Sequence, residues 1–429
     1  VSEMGRRLFA GWGGATVSAG GESSEPHALS RGLGRSYGDA ALNAGGVLTP
    51  SPTVGSITLD DGTALCTASG STTIRELIDY LVPRGFFVPV TPGTADVTVG
   101  GAVAADIHGK NHHRDGSWGH HVHSLVLILS DGEERVLTPA DEEFWATIGG
   151  MGLTGRVRSC TFSVVRIESP AMVVDTVRTT DLDGCLAALA DADKHHRYSV
   201  AWVDLLATGQ SLGRSVLTSG DHGSVASPGN KLLLSPVASV PHVGPINFMN
   251  RATISAFNEV WYRKAPQQRL GAPTSIGQFF HPLDGVADWN NFYGTRGFIQ
   301  YQFVVPFGSE RTLQTIIERL SSERVPTFVP VLKRFGAANN GPLSFPIPGW
   351  TLTFDIPTAV SGLAQMLDDF DELVIEAGGR IYLAKDARLR RQHMVAMYPK
   401  LAEWQATRDR MDPRALLRSD LGRRLGLVL

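Results

Sequence analysis

Residues 90–119, VTPGTADVTVGGAVAADIHGKNHHRDGSWG, decide the reading of this chain. Gly93, Gly100, Gly101, Gly109, Gly116 and Gly119 all fall within them. Glycine is used where bare backbone must approach a ligand or turn through positive φ. Thr94, Thr98, Lys110 and Asn111 add donors suited to phosphate or ring oxygens. A second glycine-rich piece, residues 30–39 (SRGLGRSYGD), can close on the same anion through successive backbone N–H groups. The two pieces together read as a cofactor cradle.

Neither piece is a usual nucleotide fingerprint. Gly32, Gly34 and Gly38 are spaced G-x-G-x-x-x-G with no apolar strand before them, and there is no G-x-x-x-x-G-K-[ST]. A nicotinamide Rossmann site and a P-loop are therefore both set aside. Six of the 13 histidines, His108, His112, His113, His120, His121 and His123, crowd into one loop, so a metal site is a fair alternative. No carboxylate or cysteine of ligand spacing accompanies them, and the expectation is no metal. Cys66, Cys160 and Cys185 show no paired spacing and read as reduced core residues, which favours a reducing compartment. A net charge of -3 gives no reason to expect nucleic acid as a partner.

A chain of 429 residues is too long for one ordinary core, and two domains are expected. No signal-type apolar run follows Arg6 and Arg7, and no stretch reaches the roughly 18–20 apolar residues of a membrane span. The expected location is cytoplasmic or cell-envelope associated, with any contact to the plasma membrane peripheral. Ile74, Leu77, Ile78 and Leu81 mark a helix that Thr73 and Glu76 cap and Pro83 and Gly85 end. Residues 124–129 and 134–137 flank an Asp131-Gly132 turn as a hairpin, and residues 144–155 read as another glycine-rich turn. From about residue 170, strand, helix and strand recur three times, which predicts an α+β domain on a mixed or antiparallel sheet. Residues 224–251 are apolar, hold four prolines and lack any acid. They read either as an ordered loop or as a mobile lid that meets a lipid surface.

PGT, TVGGA and D-x-HGKN, following GLGRSYGD, closely resemble the flavin domain of the vanillyl-alcohol-oxidase (PCMH-type) FAD enzymes. HGKNHH, with VLKRFG at 331–336, LSFPIPGW at 343–350, YLAKD at 382–386 and MYPKLAEW at 397–404, is similar to the decaprenylphosphoryl-β-D-ribose 2'-oxidase family. The resemblance implies an FAD-binding domain over 1–168, a substrate domain over 169–379, and a segment 380–429 that completes the FAD domain. It also implies FAD-dependent oxidation of the 2-hydroxyl of a polyprenylphosphoryl-ribofuranose to the 2-keto sugar. A short-chain-type reductase partner would complete epimerisation to the arabinose donor of actinobacterial cell-wall arabinan.

Residue roles follow from the same resemblance. In the first loop the flavin contacts would be Arg31, Gly32, Leu33, Gly34, Arg35, Ser36, Tyr37, Gly38 and Asp39. In the second they would be Gly93, Thr94, Thr98, Val99, Gly100, Gly101, Ala102, His108, Gly109, Lys110, Asn111, His112, Ser117 and Gly119. Gly155, Val157, Tyr382 and Lys385 complete the set. The sugar phosphate would meet Tyr37, Lys110, Trp202, Gln300, Gln302, Lys333, Phe335, Thr351 and Thr353. Lys385, His108 and Gln302 are the implied catalytic residues, with Lys385 stabilising negative charge on the flavin. The base that takes the hydroxyl proton is left open among Lys385, His108 and water.

Arg35 stands where many superfamily members carry a flavin-bonding histidine, so the FAD is expected to be non-covalent. Thr353 replaces a cysteine found beside the flavin in mycobacterial relatives, Thr351 an asparagine and Phe280 a tyrosine. Two alternatives stay open: an FAD oxidase of a free sugar, polyol or aldonolactone, and a redox-inactive flavin-fold binding protein.

Overall fold

A computed structural model of the chain describes residues 7–49, 57–223, 232–233, 235–241, 244 and 248–428. Much of segment 224–251, read either as an ordered loop or as a lid, thus lies outside the described residues.

The helix read from its apolar spacing is Ile74–Leu81, with Ile74, Leu77, Ile78 and Leu81 fully buried. Thr73 and Glu76 cap it reciprocally, and a short 3₁₀ turn with Pro83 ends at Gly85, whose φ is 79°. Each buried Leu or Ile contributes roughly 1.5–3 kcal/mol and the cap about 1. The helix belongs to the core of a five-stranded antiparallel sheet, ordered Thr58–Asp60, Leu65–Ser69, Arg156–Ser163, Val122–Ile128, Glu134–Leu137. Val122–Ile128 and Glu134–Leu137 are the expected hairpin. Alternate residues Leu125, Leu127, Cys160 and Phe162 point into that core. Burial pushes the Cys66 and Cys160 thiols up, which makes both unreactive. The expected turn at 144–155 is corrected in part: its first residues belong to a helix, Glu142–Thr147, and the turn begins at Ile148.

The second sheet has eight strands, antiparallel throughout: Gln268–Ser275, Ala171–Thr179, Ser215–Gly223, Tyr198–Val203, Phe328–Phe335, Gly349–Pro357, Phe298–Pro306 and Arg380–Ile381. Helices Leu182–His195, Glu310–Ser322 and Leu363–Glu376 pack on one face, where Phe303, Leu332, Leu352 and Phe354 are buried. The other face is left for a site. The architecture is α+β. One helix, Arg251–Lys264, has no counterpart in the sequence reading.

Candidate active site

Strand alternation builds the polar side of the site. Gln300 and Gln302 on one strand, Thr351, Thr353 and Asp355 on the next, and Val331 and Lys333 on the third all point away from the helices, being spaced by two. Register sets them side by side, with Gln300 opposite Asp355, Gln302 opposite Thr353, and Lys333 opposite Thr351. The C-terminal return brings Tyr382 and Lys385 over the same face, and Lys385 Nζ lies 3.4 Å from Thr353 Oγ1.

Between this face and the glycine loops is a cavity of about 850 Å³. That is at the upper end of the roughly 300–1,000 Å³ of cofactor and ligand sites. From the first loop it is lined by Gly32, Leu33, Gly34, Arg35, Ser36 and Tyr37. Gly93, Thr94, Thr98, Gly100, Gly101 and His108 contribute from the second. Gly155, Val157, Gln300, Lys333, Thr353, Tyr382 and Lys385 complete the implied residues that reach it.

Other implied residues lie behind the wall, each for a visible reason. Arg31 spends its guanidinium on the Ala41 and Ala10 carbonyls, both at 2.8 Å. Gly38 packs so tightly on the Asp386 carbonyl that a Cβ would collide with it, and Asp39 is held by Arg424. Val99 and Ala102 are the buried side of the Val99–Ala104 helix. Gly109 is pressed on Thr91, and Asn111 donates to the Pro89 carbonyl at 2.8 Å. Lys110 is half-buried, donates to the Phe279 carbonyl and sits over the Phe279 ring at 4.2 Å, and loss of solvent around its ammonium pulls its pKa down to about 7. His112 lies 4.4 Å from Phe335, ring to ring, and Phe335 itself is core. Ser117 and the Gly119 N–H both donate to Asp106 at 2.8 Å. Trp202 neighbours Val331 in register without reaching the cavity, and its indole N–H is buried with no partner among the described residues. Gln302 and Thr351 are buried just beneath the lining, 3.0 Å apart. Phe280 belongs to an aromatic cluster with Phe87 and Tyr198, away from the cavity. The histidine-rich loop is likewise consumed by protein partners, His113 by the His196 carbonyl and His121 by that of Asp115.

Several contributors carry no sequence signal. Asp106, with φ of 41°, accepts from Ser117, Gly119, Asn339 and Ser344 and so shapes the whole turn before His108. Arg75 bridges Asp96 and Asp284, while Asp284 also takes the Ala95 N–H, tying the second loop to the opposite wall. Trp12 lies under the Arg35 guanidinium at 3.9 Å.

The cavity fits a flavin dinucleotide on its own chemistry. Gly32, Leu33, Gly34, Arg35 and Ser36 present backbone N–H groups with no protein partner among the described residues, as an anion-binding run requires. Gly93 and Gly152 line the wall with nothing within 4 Å of where a Cβ would be, so bare backbone faces the space. Thr98, by contrast, caps its own helix by accepting the Gly101 N–H at 3.1 Å.

Two lysines and an imidazole set the polarity of the sheet side. Burial pulls the Lys333 pKa down to about 7, with the Lys385 and Lys110 charges adding to the effect. Lys385 is also lowered by burial, and the Asp355 carboxylate opposes that shift. Asp355 is raised by its own burial, against a 2.5 Å hydrogen bond from Gln300 Nε2. His108 is driven well below the usual imidazole range by burial and then by Lys333 and Lys385. Its Nδ1 is 3.2 Å from Lys333 Nζ and its Nε2 is 3.0 Å from the Gln302 amide. A neutral imidazole has one donor and one acceptor. With Lys333 at Nδ1 and the Gln302 amide at Nε2, both ring nitrogens are held by protein partners, and Gln302 is itself fixed by its donation to Thr351 Oγ1 at 3.0 Å.

Comparison with known proteins agrees with this cradle. Residues 23–138 match the family model described as an FAD binding domain, and residues 297–425 match D-arabinono-1,4-lactone oxidase. The chain is 39% identical over 424 residues to the decaprenylphosphoryl-β-D-ribose oxidase of Mycolicibacterium smegmatis, spanning 96% of this chain and 92% of that one. It is also 37% identical over 369 residues to an uncharacterised protein of Streptomyces coelicolor, covering 83% of this chain and all of that one. With identity running nearly end to end, the chain belongs to the decaprenylphosphoryl-β-D-ribose oxidase family of FAD-dependent oxidoreductases.

Proposed function

We propose that the protein oxidises the 2-hydroxyl of a polyprenylphosphoryl-β-D-ribofuranose to the 2-keto sugar, as the name of its mycobacterial relative suggests. The observation that carries this reading is the sheet face where Lys333, Lys385, Gln300 and Thr353 line one cavity with the glycine loops. FAD bound there supplies the two-electron acceptor. Lys385 offers a preorganised positive charge, Lys333 meets the sugar phosphate, and Gln300 orients the ring, while Gln302 beneath the lining holds His108 in place. Burial and two ammonium neighbours keep His108 neutral, and both its ring nitrogens are engaged by Lys333 and Gln302, so it positions those two side chains while Lys385 or a bound water is left to take the hydroxyl proton. The division into a flavin domain of 1–168 with 380–429 and a substrate domain of 169–379 belongs to the same reading, as does a reductase partner that returns the keto sugar as its epimer.

Anaerobic bleaching of the flavin band tests it. A short-prenyl phosphoryl-ribofuranose should bleach rapidly, while ribose, polyols and aldonolactones should not. The match of residues 297–425 to D-arabinono-1,4-lactone oxidase favours a second reading, an oxidase of a free aldonolactone. Bleaching by that lactone with peroxide release would select it.

Two further outcomes are expected. Arg35 pairs with Asp96 at 3.2 Å and offers no imidazole to the ring, so denaturation in acid should release all yellow colour into the supernatant. Protein that stays yellow would contradict a non-covalent flavin. Lys333 is charged below about pH 7 and neutral above. Hence kcat/KM for the phosphorylated sugar should fall as pH rises through that value, and the fall should vanish in Lys333→Met. The limb in kcat should lie higher, because bound phosphate favours the ammonium.

A further inference from the structure

Between Asp221 and Asp284 the sequence carries five cations, Lys231, Arg251, Arg263, Lys264 and Arg269, and one acid, Glu259, in a chain whose net charge is -3. The helix Arg251–Lys264 stands in the middle of this basic stretch, and it is anchored along one narrow line. Ile254 and Asn258 are buried, with Asn258 donating to Asp204 at 2.7 Å, while Tyr262 donates to the Thr179 carbonyl at 3.1 Å. The single acid is already used by Arg214 and Arg263.

The helix's free side is apolar. Phe257, Val260 and Trp261 recur at spacings of three and four, so they share one face. Val260 is 65% and Trp261 47% exposed, and Leu270, on the neighbouring edge strand beside Arg269, is 62% exposed. The Phe257 and Trp261 rings stack at 5.9 Å, and Phe257 rests on Phe328 at 5.5 Å, which holds the face in place. Apolar side chains scattered singly need no explanation; an ordered row beside a surplus of cations does. Tryptophan with flanking Lys and Arg is the composition that partitions to a bilayer interface.

The helix's anchored side leads to the cavity. Ile254 packs in a cluster with Trp289, Tyr293 and Phe298, and Trp289 lines the cavity wall. Ser235 and Pro236 also line it, and the next residue, Val237, is 91% exposed.

We propose that Phe257, Val260, Trp261 and Leu270, rimmed by Arg251, Arg263, Lys264 and Arg269, dock on the surface of an anionic lipid bilayer and present the cavity to it. This rests on the reading that the substrate carries a prenyl tail, whose head would be drawn from the leaflet without the tail leaving it. Each basic residue near an anionic leaflet adds roughly fivefold to binding.

Flotation of the FAD-loaded protein with phosphatidylglycerol/phosphatidylcholine vesicles tests this, with pure phosphatidylcholine as control. Wild-type protein should float with the anionic vesicles. Val260→Ser/Trp261→Ser and Lys264→Glu/Arg269→Glu should each bind at least about tenfold more weakly, with flavin content and melting temperature unchanged. Both variants should oxidise a short-prenyl substrate in solution at the wild-type rate, and a long-prenyl substrate in vesicles more slowly. Absence of wild-type binding, or equal flotation of the variants, would overturn the assignment. So would a lipid-free dimer that the serine variant dissolves, because the face would then belong to a second copy of the chain. Vesicle binding without turnover of the short-prenyl substrate would leave the docking face standing and remove the substrate reading instead.

Discussion

Lys385→Ala should slow anaerobic flavin reduction by the prenylphosphoryl sugar about 10²–10³-fold while leaving the protein yellow. The magnitude is that of removing one preorganised charge from a water-poor site where negative charge develops. FAD should be retained because the cradle's backbone donors, on residues 32–36, are untouched. The fold should tolerate the change as well. Asp355, left without its cation, is already raised by burial and keeps its hydrogen bonds from Gln300 and Tyr293, so it takes up a proton rather than remaining a bare buried charge. Stopped-flow reduction is the measurement. A rate within threefold of wild type would remove Lys385 from the chemistry.

Arg424→Ala should cost about 3–5 kcal/mol, the range for leaving buried carboxylates unpaired. Its guanidinium grips Asp39 with two hydrogen bonds, at 2.6 and 2.9 Å, reaches Asp386 at 2.8 Å and donates to the Leu389 carbonyl at 2.7 Å. Both carboxylates are nearly enclosed, and burial raises the Asp39 pKa. Asp39 ends the first glycine loop and Asp386 follows Lys385, so both walls of the cavity loosen together. Thermal unfolding should move down by several degrees, with FAD lost at lower temperature. The conservative change Arg424→Lys should recover only part of the loss, since an ammonium does not reproduce the two-pronged contact. A melting curve superimposable on wild type would show that the pairing is dispensable.

What was legible in the sequence depended on how local the cause is. The Ile74–Leu81 helix announces itself through spacing and caps within a dozen residues, and the strands around Gln302, Lys333 and Thr353 through apolar runs between turn signals. The glycine loops were legible as a cradle because backbone exposure is written in composition. The allocation of work inside them was not. Lys110, Asn111 and His112 share the most specific string and Ser117 follows it, yet they hold the turn together, because Asp106, Phe279, Pro89 and Phe335 reach them first. Asp284 and Arg424 act across 189 and 385 residues of chain, and no local pattern encodes such partners. The Arg251–Lys264 helix was missed for a different reason. Ile254, Phe257 and Trp261 do recur at helical spacing, but they follow directly on the proline-broken segment 224–251, and the pattern does not tell that most of the face points outward.

The contact of Gly38 with the Asp386 carbonyl also sets a timetable. At the roughly 5–20 residues per second of synthesis, Asp386 leaves the ribosome some 20–70 s after Gly38. Through that interval the glycine loops have no far wall, and the eight-stranded sheet gains its last strand, Arg380–Ile381, only moments before. The nascent chain must therefore wait with its phosphate-binding backbone open to solvent, and cofactor capture comes as one of the last events of its birth.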